Sequence, residues 1–136
     1  MENFFKRTWA EINLDAITHN YREIKQSLNS GTKICCVVKA DGYGHGAAFV
    51  AKELENAGAD WFAVSNLEEA VQLRRSGIGG HMLILGYTPP QEAARLHELQ
   101  ISQTVFSYAY GKELAEHAQK AGVQVKIHVK VDTGMS

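Results

Sequence analysis

Cysteine and proline are both scarce in this 136-residue chain, which contains two of each. The two cysteines, Cys35 and Cys36, are adjacent, so they supply neither a disulfide framework nor the spacing of a zinc site. With so few prolines and no low-complexity stretch, the sequence has no segment typical of an interdomain linker. The six histidines never fall at the i, i+4 spacing of a helical metal site, and we expect no bound metal.

Strong net charge and long apolar runs are also missing. A formal net charge of −1 gives no basic field that would favour nucleic acid or an anionic membrane surface. No apolar run approaches the roughly 20 residues that a membrane-spanning helix needs. Residues 1–15 carry acidic side chains early and lack the apolar segment of a secretory signal. We therefore expect a cytoplasmic protein that binds neither nucleic acid nor membranes.

What the sequence does contain is a regular alternation of strand and helix patterns. Apolar or alternating segments predict strands at 8–14, 34–38, 61–64, 82–85, 102–106 and 123–131. Capping signals and helical periodicity predict helices between them, the first capped by Asp15 and two others by capping boxes that begin at Asn66 and Thr88. The repeat of roughly 20 to 25 residues is within the range of a βα unit. It predicts an α/β fold with a parallel sheet and helices outside it.

Two α/β architectures are compatible with this alternation. The glycines after the first buried strand, Gly42, Gly44 and Gly46, form G-x-G-x-G rather than the G-x-G-x-x-G of a dinucleotide-binding fold. A (β/α)8 barrel of the TIM type typically needs about 250 residues. We therefore interpret residues 15–136 as the N-terminal part of an incomplete barrel, with about five of eight strands, preceded by one leading strand.

The stretch C-C-V-V-K-A-D-G-Y-G-H-G, residues 35–46, places Lys39 at the end of the first buried strand. In parallel barrels the carboxyl ends of the strands carry the chemistry. Desolvation disfavours the charged form of a lysine, which makes its amine nucleophilic and suited to Schiff-base chemistry. The glycines that follow let the backbone approach a ligand closely. The residues alone also allow a simpler reading, in which Lys39 extends to solvent above an ordinary glycine-rich turn.

Five sequence blocks together resemble the N-terminal part of the alanine racemase family, the pyridoxal-phosphate enzymes of fold type III. They are R-x-W-x-E-I-N-L-D-A-I-x-H-N-Y (7–21), V-V-K-A-D-G-Y-G-H-G (37–46), A-V-S-N-L-E-E-A-x-x-L-R-x-x-G-I (63–78), M-L-I-L-G (82–86) and H-V-K-V-D-T-G-M (128–135). The blocks occur in family order and span nearly the whole chain. The resemblance implies an isomerase that interconverts L- and D-alanine for peptidoglycan synthesis.

The resemblance also implies roles for individual residues. Lys39 aligns with the lysine that holds pyridoxal phosphate as an internal aldimine and then serves as one of two acid/base groups at the substrate Cα. Tyr43 aligns with a tyrosine that hydrogen-bonds the cofactor phosphate. The second base is a tyrosine from the partner subunit of a homodimer and lies beyond this chain. Residues 1–14 are expected to pair with a C-terminal β domain that is also outside it.

The last predicted strand alternates strictly between apolar and polar residues. We expect the apolar face to meet the helices and the polar face to line the barrel. Lys130, on the polar face, aligns with a lysine that is carbamylated in several family members. There it orients an arginine that reaches the cofactor and the substrate carboxylate. That arginine would follow Ser136.

Other residues have simpler expected roles. We interpret Asp41 as a turn-forming carboxylate, His45 as a packing residue of the loop, and Tyr87 as a wall of the site. Core or surface positions are expected for the rest: Trp9, Trp61, Cys35 and Cys36 in the core, and the pair Arg74–Arg75 at a solvated helix end. Three alternative functions remain open: a serine racemase of the vancomycin-resistance type, a fold-type III decarboxylase, and a non-catalytic domain that binds pyridoxal phosphate.

Overall fold

The alternation of strands and helices is the main feature of the computed structural model, which describes residues 8–134. The strands are β1 (Cys35–Val37), β2 (Trp61–Val64), β3 (His81–Ile84), β4 (Ile101–Val105) and β5 (Ile127–Val129). The helices are α1 (Leu14–Ser27), α2 (Lys39–Tyr43), α3 (Ala47–Asn56), α4 (Leu67–Arg75), α5 (Ala93–Glu98) and α6 (Tyr108–Ala121), with a 3-10 turn at Pro90–Glu92. Among the helices of residues 8–134, none has the length and apolar character needed to cross a membrane.

The five strands form one parallel sheet in the order β1-β2-β3-β4-β5. Each strand therefore pairs with its neighbour in sequence, as in the first part of a (β/α) barrel. The register aligns Cys35 with Trp61, Trp61 with His81, and Gln103 with Ile127. This confirms the predicted α/β class and parallel sheet; the described strands form an open sheet rather than a closed barrel.

The hydrophobic core lies between one face of the sheet and the helices. Strand residues Phe62 and Ile84 and helix residues Leu73 and Leu96 are at most 1% exposed. Full burial of such a side chain stabilises the fold by roughly 1.5–3 kcal/mol. This apolar layer fixes the helices on the outer face; the opposite face of the sheet is here called the inner face.

Side-chain caps begin three of the helices. Asn13 Oδ1 accepts from Ala16 N at 3.0 Å, Asn66 Oδ1 from Glu69 N at 2.9 Å, and Ser107 Oγ from Tyr110 N at 3.2 Å. The prediction that Asp15 caps the first helix was wrong, because Asn13 takes that place and Asp15 lies in the first turn. The capping box predicted at Thr88 is also absent: the segment begins with a 3-10 turn that has no side-chain cap.

The predicted leading strand is not present. Residues 8–13 form neither helix nor strand, Leu14 already belongs to α1, and residues 1–7 lie outside the described residues. A strand needs a neighbour for its N–H and C=O groups, and no described strand pairs with this segment. Trp9, expected in the core, is 73% exposed. The pairing of residues 1–14 with another domain stays a prediction.

The two outer strands are shorter and more exposed than predicted. β1 has three residues in place of five and β5 has three in place of nine. Each is an edge of the open sheet, so only one neighbour satisfies its backbone groups. For the same reason Cys35 is exposed, so the prediction that it is a core residue was wrong, whereas Cys36 is half-buried and packs against the core.

Arg74 also departs from the sequence prediction, which placed it at a solvated helix end. Its guanidinium donates to four carbonyl oxygens, those of Ile78 and Gly80 at 2.7 Å, Leu99 at 2.9 Å and Gln100 at 3.2 Å. Burial lowers its pKa, and the nearby carboxylate of Glu55 opposes that shift. Arg74 therefore ties the loops before β3 and β4 to α4. Its neighbour Arg75 is exposed, as predicted.

Candidate active site

A cleft of about 710 Å³ lies on the inner face at the carboxyl ends of the strands. This size is typical of sites for small molecules and cofactors. Every strand of the described sheet, or the residues directly after it, contributes to the wall: Lys39, Ser65, Leu85, Gly86, Thr104, His128, Val129, Lys130, Val131, Asp132 and Thr133. Because parallel strands end at the same edge of a sheet, residues distant in sequence meet there.

Lys39 lies two residues after β1 and is half-buried in the wall of this cleft. The preceding residue, Val38, is 2% exposed and donates its N–H to Ala63 O of β2 at 2.9 Å. This bond continues the sheet to the residue before Lys39. The lysine therefore extends from a fixed backbone into the cleft, which agrees with the predicted position at a strand end.

The backbone after Lys39 adopts a left-handed helical turn. In α2, Ala40, Asp41 and Tyr43 have φ of 52°, 53° and 56°, and Gly42 between them has φ of 64°. Left-handed helical conformation costs an L-residue roughly 1–2 kcal/mol, so the three non-glycine residues together store several kcal/mol. Such strain persists only where the surrounding structure determines the conformation, and it is common at functional sites.

Asp41 and His45 hold this turn from inside the loop. Asp41 Oδ1 accepts from Ala47 N, the first amide of α3, at 2.8 Å. His45 Nδ1 lies 3.0 Å from Gly42 O. At Gly42 an added Cβ would come within 3.3 Å of the backbone of Ala47 while φ is positive, so this position favours glycine. Asp41 is thus a turn-forming carboxylate, as predicted, whereas His45, predicted to pack in the loop, is exposed and contacts the backbone of the turn.

Glu69 connects the turn to the next strand, and the sequence analysis missed this role. Its Oε1 accepts from Ala40 N and its Oε2 from Ser65 N, both at 2.8 Å. The capping box had predicted a bond from Glu69 back to the N-cap residue Asn66 instead. The helix-capping signal correctly located Glu69 in the first turn of α4, but nothing in the sequence indicated a partner 29 residues away.

Lys130 lies in the same cleft as Lys39. Its N–H donates to Val105 O of β4 at 2.8 Å, which holds the backbone directly after β5. The cleft wall contains two lysines, of which Lys39 is half-buried and Lys130 exposed, together with one carboxylate, that of Asp132. The structure thus brings together two of the three residues that the resemblance singled out.

The two faces of the β5 segment separate as predicted only up to Ile127, because Val129 and Val131, expected on the helix side, line the cleft. Val123, Val125 and Ile127 line a groove with Leu114 and Ala118 of α6, on the helix side of the sheet. His128 and Lys130 line the cleft on the inner face. After β5 the alternation is lost, since consecutive residues from His128 to Thr133 all line the cleft.

Trp61 occupies the inner face rather than the apolar core. Its ring stacks on His81 at 4.6 Å between centroids and meets His128 edge-on at 5.6 Å. Trp61 Nε1 is buried and has no hydrogen-bond partner among the described residues. Trp61 is therefore in contact with one residue of the cleft wall, His128.

Tyr43 and Tyr87 are the candidate residues that the structure does not bring into the cleft. Tyr43 is 60% exposed in α2 and is absent from the cleft wall. Tyr87 follows Gly86, which is in the wall, but its ring packs against Tyr110 at 5.3 Å and Phe106 at 6.5 Å. The expected contact of Tyr43 with a cofactor phosphate stays a prediction, and the prediction that Tyr87 walls the site was wrong.

Comparison with known proteins shows one consistent family. The family model described as "Alanine racemase, N-terminal domain" matches residues 12–136. The curated "Alanine racemase 1" of Caldanaerobacter subterraneus subsp. tengcongensis is 47% identical over 128 residues, which is 94% of this chain and 33% of that protein. The chain therefore spans about a third of the length of such relatives.

Solved structures give the same result. A Clostridium difficile 630 alanine racemase superposes with a TM-score of 0.90 at 42% identity, covering 98% of this chain and 35% of that one. A histidine racemase from Leuconostoc mesenteroides subsp. sake superposes with a TM-score of 0.83 at 31% identity, covering 91% of this chain and 33% of that one. Proteins of this fold thus include racemases named for different amino acids.

Proposed function

The chain belongs to the alanine racemase N-terminal domain family, and from that premise we propose that the full-length protein is a pyridoxal-phosphate-dependent racemase that interconverts L- and D-alanine. The observation that supports the proposal most is the cleft that joins Lys39 to Lys130 at the carboxyl ends of the strands. The names of the curated relatives favour alanine as the substrate.

The residues present fit the cofactor chemically. A primary amine in a partly buried position can bond covalently to an aldehyde, and Lys39 is half-buried in the wall of the cleft. The cleft volume suits a cofactor with a small substrate, and a second lysine matches the negative charge of a phosphate or a carboxylate. Bound pyridoxal phosphate supplies an electron sink for negative charge that develops at the substrate Cα.

Each residue of the chain then has a proposed task. Lys39 Nζ holds the cofactor, and during the reaction it carries a proton to and from one face of the substrate Cα. Lys130 contributes positive charge to the cleft or, if carbamylated, orients a neighbouring cationic group. Tyr43 bonds the cofactor phosphate, which requires its exposed side chain to turn toward the bound cofactor. The base for the opposite face comes from outside this chain.

The proposal extends to the whole protein. We propose that residues 15–136 form the first part of a complete barrel and that residues 1–14 pair with a C-terminal β domain. The protein would act as a cytoplasmic homodimer and supply D-alanine for the cell wall. The alternatives are a serine racemase of the vancomycin-resistance type, a fold-type III decarboxylase and a non-catalytic pyridoxal-phosphate-binding domain. Faster conversion of serine would favour the first, and cofactor binding without racemisation of any tested amino acid would favour one of the other two.

The test is a racemisation assay of the full-length protein loaded with pyridoxal phosphate, using L-alanine, L-serine and L-histidine in parallel. We expect alanine to be converted fastest, and we expect Lys39→Ala to lose essentially all activity. Lys33→Ala is the matched control, since Lys33 is an exposed lysine whose Nζ lies 3.7 Å from Asp60 Oδ2 and which is not part of the cleft wall. Faster conversion of serine or histidine would refute alanine as the preferred substrate. An active Lys39→Ala enzyme would refute the proposed role of Lys39 in holding the cofactor.

A further inference from the structure

Glu69 joins the two loops that line the cleft at the ends of β1 and β2. One carboxylate oxygen accepts from the amide of Ala40, which directly follows Lys39, and the other accepts from Ser65, which is itself in the cleft wall. Both distances are 2.8 Å. Hydrogen bonds to an ionised acceptor are roughly twice as strong as neutral ones. A single side chain of α4 therefore fixes the backbone beside Lys39 to the neighbouring strand.

The turn that Glu69 holds is one that needs external support. Ala40 and Asp41 are in left-handed conformation, which L-residues adopt at a cost. The first amides of a helical turn have no acceptor within the turn, and Glu69 supplies one for Ala40. If this acceptor is lost, the turn can relax toward right-handed or extended backbone. Such relaxation changes the direction in which Lys39 leaves the sheet.

We infer that Glu69 is a positioning residue that keeps α2 in the conformation that presents Lys39 to the cofactor. The inference rests on the proposed function, because it takes Lys39 as the residue that binds pyridoxal phosphate. Without Glu69 only a fraction of the molecules has the competent turn at any moment. The apparent dissociation constant for the cofactor then rises by the inverse of that fraction, and saturating cofactor restores the competent form.

The experiment compares Glu69→Gln with Glu68→Gln in the full-length protein. Glutamine keeps the shape of Glu69, but one end of its amide is a donor and cannot accept from an N–H. Glu68 lies in the same first turn of α4 and is exposed, so its substitution makes the same change of charge near the helix N-terminus. Two quantities are measured: hydrogen exchange of the peptides that contain Ala40 and Ser65 in cofactor-free protein, and the dissociation constant for pyridoxal phosphate.

For Glu69→Gln we expect exchange in both peptides to accelerate about tenfold or more and the cofactor to bind about tenfold more weakly. Borohydride trapping at Lys39 should return to the unsubstituted level at saturating cofactor. Glu68→Gln should match the unsubstituted protein in both measurements. If Glu69→Gln does not fold, Glu69→Asp, which keeps the charge but shortens the reach by one methylene, takes its place.

Three results would separate the possibilities. Unchanged exchange at Ala40 and Ser65 would overturn the inference, as would accelerated exchange with an unchanged dissociation constant, which would make Glu69 a structural residue only. Failure of the unsubstituted protein to bind pyridoxal phosphate at Lys39 would instead overturn the proposed function. In that case hydrogen exchange at Ala40 still decides whether Glu69 holds the turn.

Discussion

Replacing Arg74 with alanine should destabilise the protein far more than the same change at its exposed neighbour Arg75. Arg74 gives four hydrogen bonds to backbone carbonyls, two of them at 2.7 Å. A hydrogen bond from a charged donor contributes about 1.5–3 kcal/mol when buried. Since the side chain is only half-buried, water can replace part of each bond, and we take roughly 1 kcal/mol per bond. The expected loss for Arg74→Ala is therefore about 3–4 kcal/mol.

The assay is urea denaturation of the full-length protein at 25 °C, read as the shift of the unfolding midpoint. Arg75→Ala is the control and should change the free energy of unfolding by no more than about 0.5 kcal/mol. Arg74→Lys should fall between the two, because an ammonium group cannot reproduce the planar fork that serves several carbonyls at once. A loss for Arg74→Ala within about 1 kcal/mol of that for Arg75→Ala would refute the reasoning.

The other predictions concern the turn, the cysteines and the cleft. Ala40→Gly should stabilise the protein by about 0.5–1 kcal/mol, because glycine relieves the left-handed strain. Ala115→Gly in α6 should destabilise it by about 1 kcal/mol, so the two variants should shift the urea unfolding midpoint in opposite directions. Burial raises the pKa of the Cys36 thiol from 9.0 to about 11. Alkylation of Cys36 by iodoacetamide should therefore stay slow up to pH 9 and accelerate toward pH 11. The raised pKa stabilises the folded protein below pH 9, and this contribution should disappear as the pH rises through 11. Lys130→Met should weaken pyridoxal-phosphate binding about fivefold, while Lys126→Met, outside the cleft wall, should leave it unchanged; a titration with both variants decides.

The sequence could predict the parts of the fold that depend on local patterns. The strands β2, β3 and β4 were predicted to within one residue at each end. β2 and β3 are short apolar runs, and all three strands have a helix on either side. The edge strands were predicted too long. The alternation of Val123 to Val131 predicted the face correctly as far as Ile127 but not for Val129 and Val131, which line the cleft. Pairing also requires a neighbour, and β5 has one only along Ile127–Val129.

The candidate site likewise has parts that the sequence could predict and parts that it could not. Lys39 and Lys130 could be placed in one cleft from the rule that parallel strands end at one edge. The left-handed turn at Ala40 could not be predicted, because alanine and aspartate rarely adopt positive φ and only Gly42 signals it. The bonds of Glu69 to Ala40 and of Arg74 to Leu99 join segments more than 20 residues apart. Such contacts depend on how helices pack on the sheet, which periodicity does not specify.

The central claim is that Lys39 is the residue that binds pyridoxal phosphate. The full-length protein is incubated with the cofactor, reduced with sodium borohydride, digested, and its peptides are mapped by mass spectrometry. The account predicts one pyridoxyl group, on Lys39 within residues 37–46, and none on Lys130, Lys33 or the other described lysines. Label on a different lysine, or an unlabelled Lys39 in protein that retains the cofactor, would contradict it.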